Sequence, residues 1–165
     1  MDVLVTECTY TKKIILPKEF LKQLPREVTL FTTVQFINQL QHMKAQLENH
    51  NNKVNIIKSR RTTYNGQILG CSTTNKLETP VVYVGDGEFH PKALLIRNNT
   101  TIHIYNPKSE ETKVMTQRDV QPILKRLKGL YGKFTMSKTA GILVSTKYGQ
   151  NKQRFVDKIK EQFPD

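Results

Sequence analysis

The side chain best suited to chemistry in this sequence is Cys71, in the stretch NGQILGCSTTN at residues 65–75. A short apolar run ends at Gly70, directly before it. Thiolates bind soft metals and iron–sulfur clusters, and a neighbouring glycine lets the backbone approach such a group closely. The chain has no Cys-x-x-Cys pattern, and its other cysteine is Cys8. Spacing alone leaves two interpretations open: a metal ligand, or the small buried apolar side chain that a lone cysteine more often is.

A second candidate is GDGEFHP at residues 85–91, which follows the apolar run PVVYV. If that run is a strand, the motif lies at its carboxyl end, where open α/β sheets bind ligands. Asp86 can hold a hydroxyl or an amine there, and His90 can donate or accept a proton. The alternative is a structural turn, because Asp-Gly is a common turn pair.

A third candidate is STKYGQ at residues 145–150, between an apolar run and an amphipathic pattern. We predict that it opens a helix, whose N-terminal amides favour carboxylates and phosphates. Thr146, Lys147 and Gln150 are the binding candidates, and Lys147 adds a positive charge. Neither the Walker A order nor the G-x-G-x-x-G fingerprint occurs in the sequence. The other histidines are interpreted as structural: His42, His50 and His103.

The elements that must position these residues alternate between strand and helix patterns. Amphipathic helices are predicted from Val34, after Asp119 and around Phe155, and Pro122 is expected in the first turn of the second helix. Strands are predicted around Cys8 and at residues 28–33, 53–59, 80–87, 101–107 and 140–146. This alternation predicts an α/β fold with a mainly parallel sheet and flanking helices.

Two segments share one plan, namely a buried strand, a Thr-containing turn, a glutamine and an amphipathic helix. They lie at residues 28–40 and 140–159, and they predict one complete α/β domain over 1–139 and the start of a second, similar unit over 140–165. A single strand and helix cannot bury their own apolar faces. The second unit must therefore pack on the first, on another chain, or on residues outside this sequence.

The composition is that of a globular protein: 165 residues, 37% hydrophobic, with a mean hydropathy of −0.51. No apolar run reaches the roughly 20 residues that cross a bilayer, and no leader pattern opens the chain, so we expect a cytoplasmic protein without membrane contact. In the cytoplasm, cysteines are more often free thiols or metal ligands than partners in a disulfide. The net charge of +12 suggests an acidic partner such as nucleic acid, or simply a solvated basic surface.

Four motifs taken together resemble one family. They are TTVQFINQL, RRTTYNGQILGC, VVYVGDGEFHPKAL and GILVSTKYGQ, which occur in this order from about residue 28 to 150. They are similar to motifs of the diphthamide-synthesis radical enzymes, the 2-(3-amino-3-carboxypropyl)histidine synthases of archaea and the paired eukaryotic subunits. GQILGC followed by GDG-x-FHP is the most specific part of this resemblance.

The resemblance implies a fold of three similar α/β domains, each contributing one cysteine to a shared [4Fe-4S] cluster. The cluster would cleave S-adenosylmethionine, giving methylthioadenosine and a 3-amino-3-carboxypropyl radical that adds to a histidine of translation elongation factor 2. Cys71 matches the cysteine of the middle domain. By the general rule for open α/β sheets, the loops at 33–35, 85–90 and 145–150 would face the cleft. From their position alone, Gln35, Lys147 and Gln150 would orient S-adenosylmethionine.

The resemblance also implies that the chain is incomplete as an enzyme. It starts where the middle domain would start and stops soon after the third begins, so missing domains or a companion chain would supply two further cysteines, in a homodimer or a heterodimer. A fragment, a split gene product and a degenerate scaffold stay open as alternatives. The alternative function is a non-catalytic basic α/β module that docks on nucleic acid or on a translation factor.

Overall fold

The computed structural model of the chain describes residues 6–70, 76–147 and 151–163. Two compact units divide it, Met1–Leu124 and Lys125–Asp165. The strands are β1 (Glu27–Thr32), β2 (Lys53–Asn55), β3 (Val81–Val84), β4 (Ile102–Tyr105) and β5 (Thr112–Met115). The helices are α1 (Lys18–Lys22), α2 (Leu40–Asn49), α3 (Phe89–Arg97), α4 (Gln117–Thr135) and α5 (Gln153–Gln162), with a 3-10 helix at Val34–Gln39. None of the helices in the described ranges is long and apolar enough to span a membrane.

The five strands form one sheet in the order β2-β1-β3-β4-β5. Three neighbouring pairs are parallel, and β4 pairs with β5 in the antiparallel sense. The prediction of an α/β fold with a mainly parallel sheet is therefore confirmed. The order places β2 on one side of β1 and β3 on the other, which makes the carboxyl ends of β1 and β3 the topological switch point.

Helices cover both faces of the sheet, which explains why its inner strands are apolar throughout. On one face Leu30 and Val82 pack with residues of α1 and α2, such as Phe20 and Met43. On the other face Tyr83 and its neighbours pack with residues of α3 and with Val120 at the start of α4. Successive residues of β3 thus enter different halves of the core, as the period of two in a strand requires.

Several predicted elements have different bounds in the structure. The strand predicted at 53–59 is confined to Lys53–Asn55, and those predicted at 80–87 and 101–107 are confined to β3 and β4. The first amphipathic helix begins as the 3-10 helix and continues as α2. Residues 6–10 form no strand, so that prediction around Cys8 is wrong over these residues. Pro122 lies inside α4, at its sixth residue and not in its first turn.

The strand predicted at 140–146 is also wrong, because the structure assigns these residues to no strand or helix and leaves them exposed. A strand needs a neighbour for its backbone groups, and the five-stranded sheet lies within Met1–Leu124. The final helix is confirmed as α5. The predicted division at 139/140 stays a prediction.

Candidate functional site

The candidate site lies where β1 and β3 end side by side. Thr32 and Val84 are register partners at the last position of the two strands, and the buried Thr32 Oγ1 donates a hydrogen bond of 2.6 Å to the Val84 carbonyl. The chain leaves these ends as the loops at 33–35 and 85–90. Both loops therefore start at the same carboxyl edge of the sheet, as predicted, and they flank the switch point.

The segment that leads to Cys71 runs beside the end of β1. The Thr32 amide donates to the Gly66 carbonyl at 2.8 Å, and the Ile68 amide donates to the Thr32 carbonyl at 2.9 Å. Farther on, Gly70 lies against the ring of Phe89, the first residue of α3, since a Cβ at Gly70 would come within 2.2 Å of the Phe89 Cε1 atom. This described segment thus reaches the start of α3, the helix that follows β3, at Gly70. Cys71 itself falls outside the described residues.

Asp86 and His90 come together around Tyr83, which sequence reasoning missed. The buried Tyr83 hydroxyl donates to the Asp86 carbonyl at 3.3 Å and lies 3.5 Å from His90 Nδ1. The Tyr83 and His90 rings stack at 6.2 Å between centroids. Tyr83 belongs to a buried strand, and the one sequence signal for it is its position two residues before Gly85, at the strand's carboxyl end.

Burial sets the protonation states of this pair. It lowers the pKa of His90, although the nearby Asp86 carboxylate opposes that effect. It raises the pKa of the Tyr83 hydroxyl well above its usual range, and Asp86 adds to the rise. Near neutral pH the site therefore holds an uncharged imidazole and a protonated phenol, which are groups able to exchange hydrogen bonds without carrying charge.

Lysines neutralise the acidic side chains of the 85–90 loop. Lys108, from the turn between β4 and β5, lies 2.7 Å from Asp86 Oδ2. The Glu88 carboxylate accepts hydrogen bonds from the ammonium groups of Lys113 and Lys92, and these two hydrogen bonds lower the pKa of Glu88 to about 2. The Asp86 carboxylate, predicted to hold a hydroxyl or an amine, already holds a lysine amine of its own chain. These ion pairs fasten the loop to its surroundings.

Gln35 lies at the same edge, and its side chain is exposed. Its Oε1 accepts a hydrogen bond of 2.9 Å from the Thr33 hydroxyl, and its carbonyl accepts one of 2.6 Å from the Tyr10 amide. The exposed Cys8 precedes Tyr10 by two residues. Glu7 accepts a hydrogen bond of 3.0 Å from the Tyr64 hydroxyl, which anchors the segment from the other side. Cys8 thus lies near this edge, a placement that its sequence context did not indicate.

The third predicted loop belongs to the other unit. Thr146 and Lys147 lie in an exposed segment without regular structure, and Gln150 falls outside the described residues. The helix that STKYGQ was predicted to open begins only at Gln153, so Lys147 is not at its N-terminus. The described ranges contain no group of three or more His, Cys, Asp or Glu side chains that could hold a metal ion.

Comparison with known proteins gives one consistent answer. Residues 8–165 match the family described as "Putative diphthamide synthesis protein". The chain is 29% identical over 133 residues to the 2-(3-amino-3-carboxypropyl)histidine synthase of Pyrococcus horikoshii, covering 79% of this chain and 38% of the relative. It is 33% identical over 88 residues to subunit 1 of the Danio rerio synthase, covering 52% of this chain and 23% of the relative.

A solved structure shows the same fold. The crystal structure of Dph2 from Pyrococcus horikoshii with a 4Fe-4S cluster superposes with a TM-score of 0.70 at 27% identity, covering 86% of this chain and 42% of that one. This chain thus spans about two fifths of the archaeal relative. The matched family model, the curated relatives and the shared fold agree, and the chain belongs to the diphthamide synthesis protein family.

Proposed function

We propose that this chain is a component of the cytoplasmic enzyme that makes 2-(3-amino-3-carboxypropyl)histidine, a transferase of diphthamide synthesis. Its substrates would be S-adenosylmethionine and a histidine of translation elongation factor 2. The observation that carries the proposal is the position of Gly70, which packs on Phe89, the first residue of the helix that follows β3, and is followed directly by Cys71. A family member has been solved with a 4Fe-4S cluster.

The residues of this chain fit the cluster only in part. A four-iron cluster takes three or four protein ligands, whereas no set of three metal-binding side chains exists in the described ranges. Cys71 would supply one thiolate, and the others would come from the part of the family sequence not matched here, as missing domains or as a companion chain. When bound, the reduced cluster would supply the electron that cleaves one C–S bond of S-adenosylmethionine, giving methylthioadenosine and a 3-amino-3-carboxypropyl radical.

The other residues of the edge would bind and orient the substrates. The exposed Gln35 amide can pair with a polar group of S-adenosylmethionine. Thr146, Lys147 and Gln150 are kept, from the sequence, as candidates that bind its carboxylate. The neutral His90, held by Tyr83, can exchange a proton or a hydrogen bond with the incoming imidazole. The Asp86–Lys108 pair would keep the 85–90 loop in place during this exchange.

The two cysteines of the chain provide a matched experiment. Wild type, Cys71→Ala and Cys8→Ala are each assembled with the remaining family polypeptide and supplied anaerobically with iron and sulfide. We expect that Cys71→Ala loses the visible absorption of the cluster and the transfer of radiolabel from S-adenosylmethionine to elongation factor 2. Cys8→Ala should keep both. The proposal fails if the absorption and the transfer survive in Cys71→Ala.

A further inference from the structure

The unit Lys125–Asp165 leaves nearly all its large apolar side chains uncovered. Among its described residues the one buried hydrophobic side chain is Val156. The second half of α4 exposes Leu130, Tyr131 and Phe134, and α5 exposes Phe155 and Phe163. Monomeric proteins rarely expose large apolar patches, and those that are exposed usually mark an interface. Such a unit has too little core to be stable alone.

The segment 140–146 of the same unit is exposed as well. Its sequence, AGILVST, is rich in strand-forming residues, yet the structure assigns it to no strand and leaves Leu143 fully exposed, at 101%. Such a segment has the composition to join the open edge of a sheet, where main-chain hydrogen bonds supply affinity and alternate side chains supply specificity.

The net charge of this unit indicates which kind of partner it can bind. Residues 125–165 contain ten Lys and Arg against three Asp and Glu, a net charge of +7 out of the total +12. A second copy docked through this unit would oppose +7 with +7, which like-charge repulsion disfavours. An anionic lipid surface matches the charge but offers an extended backbone no hydrogen-bond partners. Nucleic acid matches the charge but cannot cover the aliphatic side chain of Leu143 or offer a sheet edge.

We infer that this unit docks on a polypeptide carrying the part of the family sequence that this chain does not match, and that residues 140–146 join the edge of its sheet as a strand. The curated archaeal relative is long enough to contain that part, since the match covers 38% of it. The apolar faces of α4 and α5 would pack on the same partner, whose rim would be acidic. The inference deepens the proposed function, because the partner is the polypeptide expected to supply the remaining cluster ligands.

The test uses the full chain, tagged at its N-terminus and isolated from its own cells. Native mass spectrometry should find a complex with one polypeptide of the same family, and hydrogen exchange should show amides of 140–146 protected in the complex and exposed after separation. Leu143→Asp should weaken the complex by about thirtyfold or more, the effect of losing a buried apolar anchor. Ile15→Asp places the same charge on an exposed apolar site of the other unit, 65% exposed, and should leave affinity unchanged.

Two proline variants separate strand addition from simple apolar contact. Successive amides of a strand point to opposite sides, so one of Ile142→Pro and Leu143→Pro removes a hydrogen bond to the partner and the other does not. We expect unequal losses of affinity. A monomer, a homodimer, a purely nucleic-acid or lipid complex, or a family complex with 140–146 unprotected would each overturn the inference. Cys71→Ala should still form the complex, so loss of the cluster and loss of docking are distinguishable.

Discussion

Gly85→Ala should destabilise the fold at the candidate site. A Cβ atom at this position would lie 2.6 Å from the Tyr83 hydroxyl oxygen and 2.7 Å from Cζ. Because Tyr83 is fully buried between β3 and its covering helix, its ring cannot swing into solvent. The new methyl group must therefore displace the ring or the backbone, and the hydrogen bond from Tyr83 to the Asp86 carbonyl is the first interaction to be lost.

The expected cost is the sum of two effects. Overpacking a buried site costs about 1–3 kcal/mol, and the lost hydrogen bond adds about 1 kcal/mol, so the free energy of unfolding should fall by about 2–4 kcal/mol. Gly70→Ala makes an instructive comparison, since its Cβ would come closer to a ring, 2.2 Å from Phe89. That ring is 70% exposed and can move aside. Losing its partial contact costs less than about 1 kcal/mol.

Urea unfolding followed by far-UV circular dichroism measures both variants. Gly129→Ala is the control, because no atom lies within 4 Å of its Cβ position in α4 and alanine favours a helix by up to about 1 kcal/mol. Gly70→Ala makes the closer contact but should lower the free energy of unfolding less than Gly85→Ala. If Gly70→Ala lowers the free energy of unfolding as much as Gly85→Ala does, then the freedom of the neighbouring ring to move does not decide the cost of the added methyl group.

Two further predictions concern the same sheet. Burial lowers the pKa of His90 and of His103 below 6.5, so the unfolded chain binds more protons in acid; stability should be complete above about pH 6.5 and decline below it. Urea midpoints between pH 7.5 and 5.5 should show this decline, and the double variant with His90→Gln and His103→Gln should flatten it; an unchanged slope contradicts the assignment. Thr32→Val removes a buried hydrogen bond of 2.6 Å to Val84 and should cost about 1 kcal/mol in the same assay, whereas the exposed Thr63→Val should cost almost nothing.

The inner strands could be predicted because their own residue types favour a buried strand. β1, β3 and β4 consist mostly of β-branched and aromatic residues, and all but the first residue of β1 are buried, a pattern typical of a parallel sheet covered on both faces. β5 was missed since three of its four residues are exposed and Met115 alone is buried. Its strand character comes from pairing with β4, and a tertiary contact of this kind leaves almost no mark on the local sequence.

The site was predictable to the same extent. Asp86 and His90 were found through a general rule about strand ends, which needs no knowledge of side-chain contacts. Tyr83 was missed because its role depends on the fold of the loop that follows, where the chain returns His90 to its hydroxyl. The ion pairs of Asp86 with Lys108 and of Glu88 with Lys113 join residues 22 and 25 positions apart, and such long-range pairs cannot be inferred from spacing.

Residues 140–146 have the sequence pattern of a strand, although the structure assigns them to none. The pattern of this segment satisfies the same criteria as β3, namely β-branched residues between turn-forming ones. Unlike β3, it has no strand beside it among the described residues of its own unit. In natural proteins the local sequence pattern agrees with the native structure. A strand pattern without a neighbouring strand in its own unit therefore indicates a neighbouring strand outside that unit. If hydrogen exchange found 140–146 equally exposed in every complex of the chain, these residues would form no strand with a partner and the strand pattern would have no structural cause.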